Sequence, residues 1–236
     1  MTLKILKVNN VTECSIIRRI NRFVVKVKIG NNETLAYINN TGKLLNYLVY
    51  GKKAYCQKIM KLTKIGWRLI AISDADMAAL VDVYLQMKAF ENAVKINFIP
   101  WLRNCRIVKR NPKLNSSVLD YLLRCDTILT YLEIKSAVLR GRRNVAMYPD
   151  CVSFRGRRHI KELINIVLKG GKGILLFIAA IPHAKAFKPN RAVDEKIYEL
   201  IREATRVRVM VKAMGIFFNP YNSTVMLENP DLKVII

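Results

Sequence analysis

Residues 118–123 read Val118-Leu119-Asp120-Tyr121-Leu122-Leu123; after Arg124-Cys125-Asp126 a second apolar run from Ile128 reaches Leu132-Glu133-Ile134-Lys135-Ser136. Two apolar runs around a short polar break predict two strands, 118–123 and 128–138, joined as a hairpin. Asp120 falls inside the first run, where a carboxylate is costly unless it is paired or binds a cation. Glu133 and Lys135 are two residues apart, so in a strand they project from one face. A hairpin lays Asp120 beside them, and two carboxylates and a lysine converge. Carboxylate oxygens suit Mg²⁺ or Mn²⁺, with Asp120 and Glu133 the candidate metal ligands. Such an ion polarises a phosphoryl oxygen and acidifies a bound water. Lys135 could orient that water or stabilise the developing phosphorane charge. The plainer alternative is a surface Glu133–Lys135 pair on an edge strand, because an acid followed two residues later by lysine is a common pattern.

Working outward, the pattern changes character near residue 75. Towards the N-terminus it is mostly β. Phe23, Val25, Val27 and Ile29 alternate with Val24, Lys26 and Lys28, a period of two. Gly30-Asn31-Asn32 and 39–42 are turns, and 34–38, 55–62 and 67–72 are further strands. Short strands with tight turns predict a small OB-like barrel over residues 1–74. The remainder, 75–236, alternates helices (75–90, 159–169, 194–206) with strands (118–123, 128–138, 173–181, 207–213). That order predicts an α/β domain with a mixed sheet holding at least one parallel pair. The fold class is therefore α/β (α+β).

The chain has 236 residues, with 41 Lys and Arg against 17 Asp and Glu, a formal charge of +24. Folding needs no such excess, which speaks to partners. A polyanion fits, since each phosphate neutralised releases counterions; an anionic membrane surface and ribosomal RNA are the rival partners. The five cysteines, Cys14, Cys56, Cys105, Cys125 and Cys151, form no C-x-x-C pair, so zinc-site spacing is absent. They are expected to be free, buried thiols in a reducing compartment. The N-terminus MTLKILKVNN lacks a signal-peptide apolar stretch. The apolar run 174–181 is too short to span a bilayer. The expectation is a cytoplasmic protein that does not enter membranes.

Five ordered stretches resemble the sugar fermentation stimulation protein A family: Arg19-Ile20-Asn21-Arg22-Phe23; Tyr37-Ile38-Asn39-Asn40-Thr41-Gly42-Lys43-Leu44; Ser117–Tyr121 with Leu132–Ser136; Tyr148-Pro149-Asp150-Cys151-Val152 with Arg155-Gly156-Arg157-Arg158-His159; and Phe187-Lys188-Pro189-Asn190 with Asp194. The resemblance implies an N-terminal OB-like domain, a C-terminal domain like PD-(D/E)xK nucleases, and DNA binding with little sequence preference. It matches Asp120 to the nuclease template's lone Asp and Glu133 and Lys135 to its (D/E)xK pair. Two positions depart from the family pattern. Val118 stands where the family usually has Arg, and Asn111 where it tends to carry an acid. Binding without cleavage is thus a reading alongside a metal-dependent nuclease, and an RNA-binding protein is a third.

Candidate nucleic-acid contacts in the first half are Arg19, Arg22, Asn40, Thr41 and Lys43. In the second they are Arg140, Arg142, Arg143, Arg155, Arg157 and Arg158, where arginine forks suit phosphates. His159 joins them as a phosphate contact or a support for the site, against a local helix-start role. Tyr37, Tyr47, Tyr50, Tyr55 and Trp67 are stacking candidates, with core packing as the alternative. Asp150 is a weaker candidate ligand. Strand edges could pair two chains, though no pattern demands a dimer, and no organic cofactor is implied.

Overall fold

The computed structural model describes residues 2–59, 65–114 and 117–236. Its strands up to the first helix are β1 (Leu3–Lys7), β2 (Val11–Asn21), β3 (Val24–Ile29), β4 (Asn32–Tyr37), β5 (Lys53–Lys58), β6 (Trp67–Asp74) and β7 (Met77–Leu80), followed by α1 (Val83–Lys95). Then come β8 (Cys105–Arg110), β9 (Lys113–Leu114), β10 (Ser117–Val118), β11 (Tyr121–Cys125), β12 (Ile128–Ala137), β13 (Leu139–Arg140), β14 (Val145–Tyr148), α2 (Phe154–Leu168), β15 (Lys172–Ala179), β16 (Ala186–Pro189), α3 (Glu195–Arg206), β17 (Met210–Asn219) and β18 (Thr224–Val234).

Strands β2, β3, β4, β6 and β5 close on themselves. β2 pairs β3, β3 pairs β4, β4 runs parallel to β6, β6 pairs β5, and β5 returns to β2. This is the five-stranded OB barrel. Val25 and Val27 point inward while Lys28 faces solvent, as period-two alternation requires. The expected strand 55–62 begins earlier, at Lys53; its residues 60–62 lie outside the described ones.

The second half is built on one sheet in the order β8, β11, β12, β15, β17, β18, β1. It is antiparallel at both ends and parallel through β12, β15 and β17. The edge strand β1, residues 3–7, comes from the N-terminus and pairs with β18. Ile160, Leu163, Leu200 and Ile201 from α2 and α3 pack with Leu175 and Phe177 on one side of the sheet and share a continuous core with the barrel interior. On the other side Leu85, Ala89 and Phe90 of α1 pack with Tyr121, Leu132 and Leu176. The expected mixed-sheet α/β half is present.

Two expectations are corrected. The helix expected from residue 75 is a strand, β7, and then a helix from Val83. Ala78, Ala79 and Leu80 are fully buried between β6 and β17, and a strand buried on both faces has the same apolar run as a helix segment. The helix starts where Asp82 caps it, accepting from the Leu85 N–H at 2.8 Å. The cysteines are also not all free: Cys105 and Cys125 form a disulfide, because the antiparallel register sets them opposite each other on β8 and β11. Cys14, Cys56 and Cys151 remain free thiols, the first two buried.

Candidate active site between barrel and sheet

Asp120 sits at the bend between β10 and β11, not inside a continuous strand as expected. Its Oδ2 accepts from the Ile134 N–H at 2.7 Å, which pins the carboxylate next to Glu133. Glu133 and Lys135 leave β12 on one face and are 2% and 8% exposed; they are no surface pair. Glu133 Oε1 accepts from Lys135 Nζ at 2.5 Å and from His159 Nδ1 at 2.5 Å. Arg155 Nε donates to the other ring nitrogen of His159 at 3.4 Å, so the imidazole presents its N–H to Glu133. Glu133 Oε2 is buried and has no hydrogen-bond partner among the described residues.

Burial, then the nearby charge of Glu133, pushes the Asp120 carboxyl up to about 6. Burial also acts to raise Glu133, but Lys135 and His159 outweigh it and hold that carboxyl below its ordinary value. Burial acts to lower Lys135, and Glu133, Tyr148 and Asp120 overcome it, so the ammonium is retained more firmly than usual. At neutral pH the trio is therefore two carboxylates and one ammonium, with an orphaned buried oxygen.

That donor set fits a hard divalent cation. Two carboxylates lie side by side, and one buried oxygen lacks a donor that a cation would replace. Among the described residues no group of three or more His, Cys, Asp or Glu forms a full metal cage. An ion here would keep part of its water shell, as Mg²⁺ usually does.

The three residues line a pocket of about 300 Å³ together with Arg22, Asn40 and Thr41 of the barrel and Tyr148, Asp150 and Arg155 beyond β13. The structure thus brings two sets of candidates, far apart in sequence, to one place. Arg19 holds the barrel's part of the wall: it donates to the carbonyls of Asn21, Arg22, Asn40, Gly42 and Lys43. Asn40 is buried, donating to the Val81 carbonyl at 3.2 Å and accepting from the Gly42 N–H at 3.0 Å. Gly42 has no room for a side chain, since a Cβ there would collide with the Asp150 carboxylate. Asp150 accepts from the Leu44 N–H at 2.9 Å. It belongs to the seam between loop 40–44 and the turn after β14.

The remaining candidates divide. Arg140 is spent on Asp74, Asn144 and the Pro182 carbonyl. Arg157 is paired with buried Asp194 at 2.9 Å, and His159 is 2% exposed behind Glu133. Arg19 has all its donors on backbone carbonyls, and Arg140, Arg157 and His159 likewise engage partners within the protein that brace the frame of the site. Arg22, Thr41, Lys43, Arg142, Arg143, Arg155 and Arg158 are exposed. Of the stacking candidates Tyr37 and Tyr50 are exposed, while Tyr47 and Tyr55 are core. Sequence reasoning missed Tyr148, which lines the pocket beside Lys135; a tyrosine before Pro149 and Asp150 carries no signal of its own in the sequence. Asn111, which stands where an acid is expected, takes a left-handed φ of 51° and donates its N–H to the Asp120 carbonyl at 2.9 Å.

Residues 17–81 match the model of the SfsA N-terminal OB domain, and residues 84–222 that of the sugar fermentation stimulation protein RE domain. The chain belongs to the sugar fermentation stimulation protein family. A homolog from Pyrococcus furiosus is 41% identical over 91% of this chain and 92% of its own length. One from Archaeoglobus fulgidus is 39% identical over 99% of this chain and 100% of its own. The solved structure of Pyrococcus furiosus SfsA in complex with Ca²⁺ superposes with a TM-score of 0.95 at 38% identity, covering 99% of this chain and 100% of that one. The Pyrococcus furiosus protein thus shares this chain's barrel-and-sheet architecture. No helix among the described residues is long and apolar enough to cross a membrane.

Proposed function

We propose that this family member binds DNA with little dependence on base sequence, in the cleft where the barrel loop meets the Asp120–Glu133–Lys135 site. The observation that carries the reading is the shared pocket, in which Arg22 and Thr41 of the barrel face the carboxylates of the sheet on a chain of +24 formal charge. Cations on both walls suit a phosphodiester backbone, and contacts to phosphate position a strand without reading its bases.

A second reading, cleavage of DNA, is favoured by the orphaned Glu133 Oε2 beside Asp120. When a divalent cation is held by Asp120 and Glu133, it supplies Lewis-acid polarisation of a phosphoryl oxygen and a more acidic water. The Ca²⁺ of the Pyrococcus furiosus structure supports that choice of ion class. Lys135 offers its ammonium to charge developing on the phosphoryl oxygens. His159 keeps Glu133 ionised and oriented, and Arg155 can hold a phosphate neighbouring the reacting one.

Labelled single- and double-stranded DNA and RNA, run with Mn²⁺ or with chelator, reads retardation and cleavage in one gel. DNA retarded in both conditions supports the binding reading. Metal-dependent cutting lost in Asp120→Asn and Lys135→Ala adds the nuclease reading. RNA outcompeting DNA for the same protein, or no retardation, overturns the proposal.

A further inference from the structure

Between Glu91 and Asp120 the sequence holds no acid, yet it carries six Lys and Arg. Three charges of this region and the next strand meet on one surface. In the β8–β11 ribbon Arg106 lies directly opposite Arg124, and Lys109 lies opposite Leu122. Alternation along β11 puts Leu122 and Arg124 on the face of Asp120. Pairing of Leu122 with Tyr131 and Arg124 with Leu129 puts them on the face from which Glu133 projects. Arg106, Lys109 and Arg124 are exposed and have no partner among the described residues. The other face differs: there Arg110 is paired with Glu91 at 2.6 Å. The fold neutralises the cation beside α1 and leaves the three on the site's face bare.

Like charges directly opposite each other on paired strands oppose folding. The Cys105–Cys125 disulfide, at the next register position, ties the two strands where Arg106 and Arg124 repel. A repulsive pair held in place, exposed, and in line with a polyanion site is arranged for an external anion. We propose that the β8–β11 ribbon is a second DNA contact, gripping the sugar-phosphate backbone as it leaves the Asp120 pocket. Arg124 lies four residues beyond Asp120, about 14 Å along an antiparallel strand. That reach corresponds to about four phosphates of a B-form strand. The arginines, with planar forks, take phosphate oxygens two at a time.

The inference rests on the DNA-binding reading, and its test separates the two. Binding of a fluorescent duplex would be titrated over a salt series with wild type, with R106Q/R124Q, and with K196Q/R202Q, which removes the same charge from α3. The ribbon variant should bind at least fivefold more weakly at 0.1 M salt. Its log-log salt slope should be shallower by about 2, since each phosphate contact contributes about 0.9. Without DNA it should melt no lower than wild type, because a repulsive pair is gone. An unchanged slope, an equal loss in the α3 variant, or a ribbon variant that melts lower would overturn the ribbon while leaving DNA binding standing. Wild type that binds no duplex and no single strand would remove the DNA reading and the ribbon with it.

Discussion

An ionised Asp120 is expensive in its surroundings, and that cost is measurable. Its folded carboxyl titrates at about 6 against an ordinary 3.8, so the folded state holds that proton more tightly than the unfolded chain does. Below pH 4 there is no penalty; it grows between pH 4 and 6 and is complete above. In chelator, Asp120→Asn should therefore be more stable than wild type at pH 8, by something on the order of 3 kcal/mol. The advantage should shrink towards zero as pH falls to 4, and urea denaturation across that range checks it. Added Mg²⁺ should stabilise wild type by linkage and leave the variant unmoved. His159 gives a second residue-scale expectation. Its N–H is one of two donors on Glu133 Oε1, so His159→Ala should cost about 1–3 kcal/mol. It should also weaken Mg²⁺ binding by about tenfold or more, read by calorimetry, with the pocket-lining side chains still present.

Among the elements, the loop after β4 matters most, because it carries the barrel's residues to the sheet's carboxylates. Arg19 reaches five carbonyls along 21–43 and has nothing left for DNA. Arg19→Met should raise hydrogen exchange at residues 40–44 and weaken DNA binding severalfold, although Arg19 touches no ligand. Unchanged exchange in that loop would contradict the role. The hairpin was legible in the sequence because Glu133 and Lys135 keep strand spacing and the polar break at 124–126 is short. The barrel strand 24–29 was legible for the same reason of alternation, and most of β6 was read as a strand at 67–72. The β7 strand was not, since burial on both faces erases the period. Nor was the disulfide, whose cysteines are 20 residues apart and meet through strand register alone. The jobs of Arg19, Arg140 and Arg157 were also hidden: an arginine bound to carbonyls or a buried Asp looks in sequence like one that awaits a phosphate.

For the whole molecule, the barrel and the sheet share a continuous core and one pocket, so both halves contribute charge to the proposed binding surface. The +24 excess exceeds what the chain's own carboxylates can neutralise, and its effect should be long-ranged and screened by salt. The most direct measurement is the affinity of wild type for a labelled DNA duplex as a function of salt, by fluorescence anisotropy in chelator. The account predicts tight binding at low salt and a straight log-log decline with a slope steeper than about −3, corresponding to four or more phosphates neutralised. Absence of binding, or an affinity that does not change with salt, would contradict it.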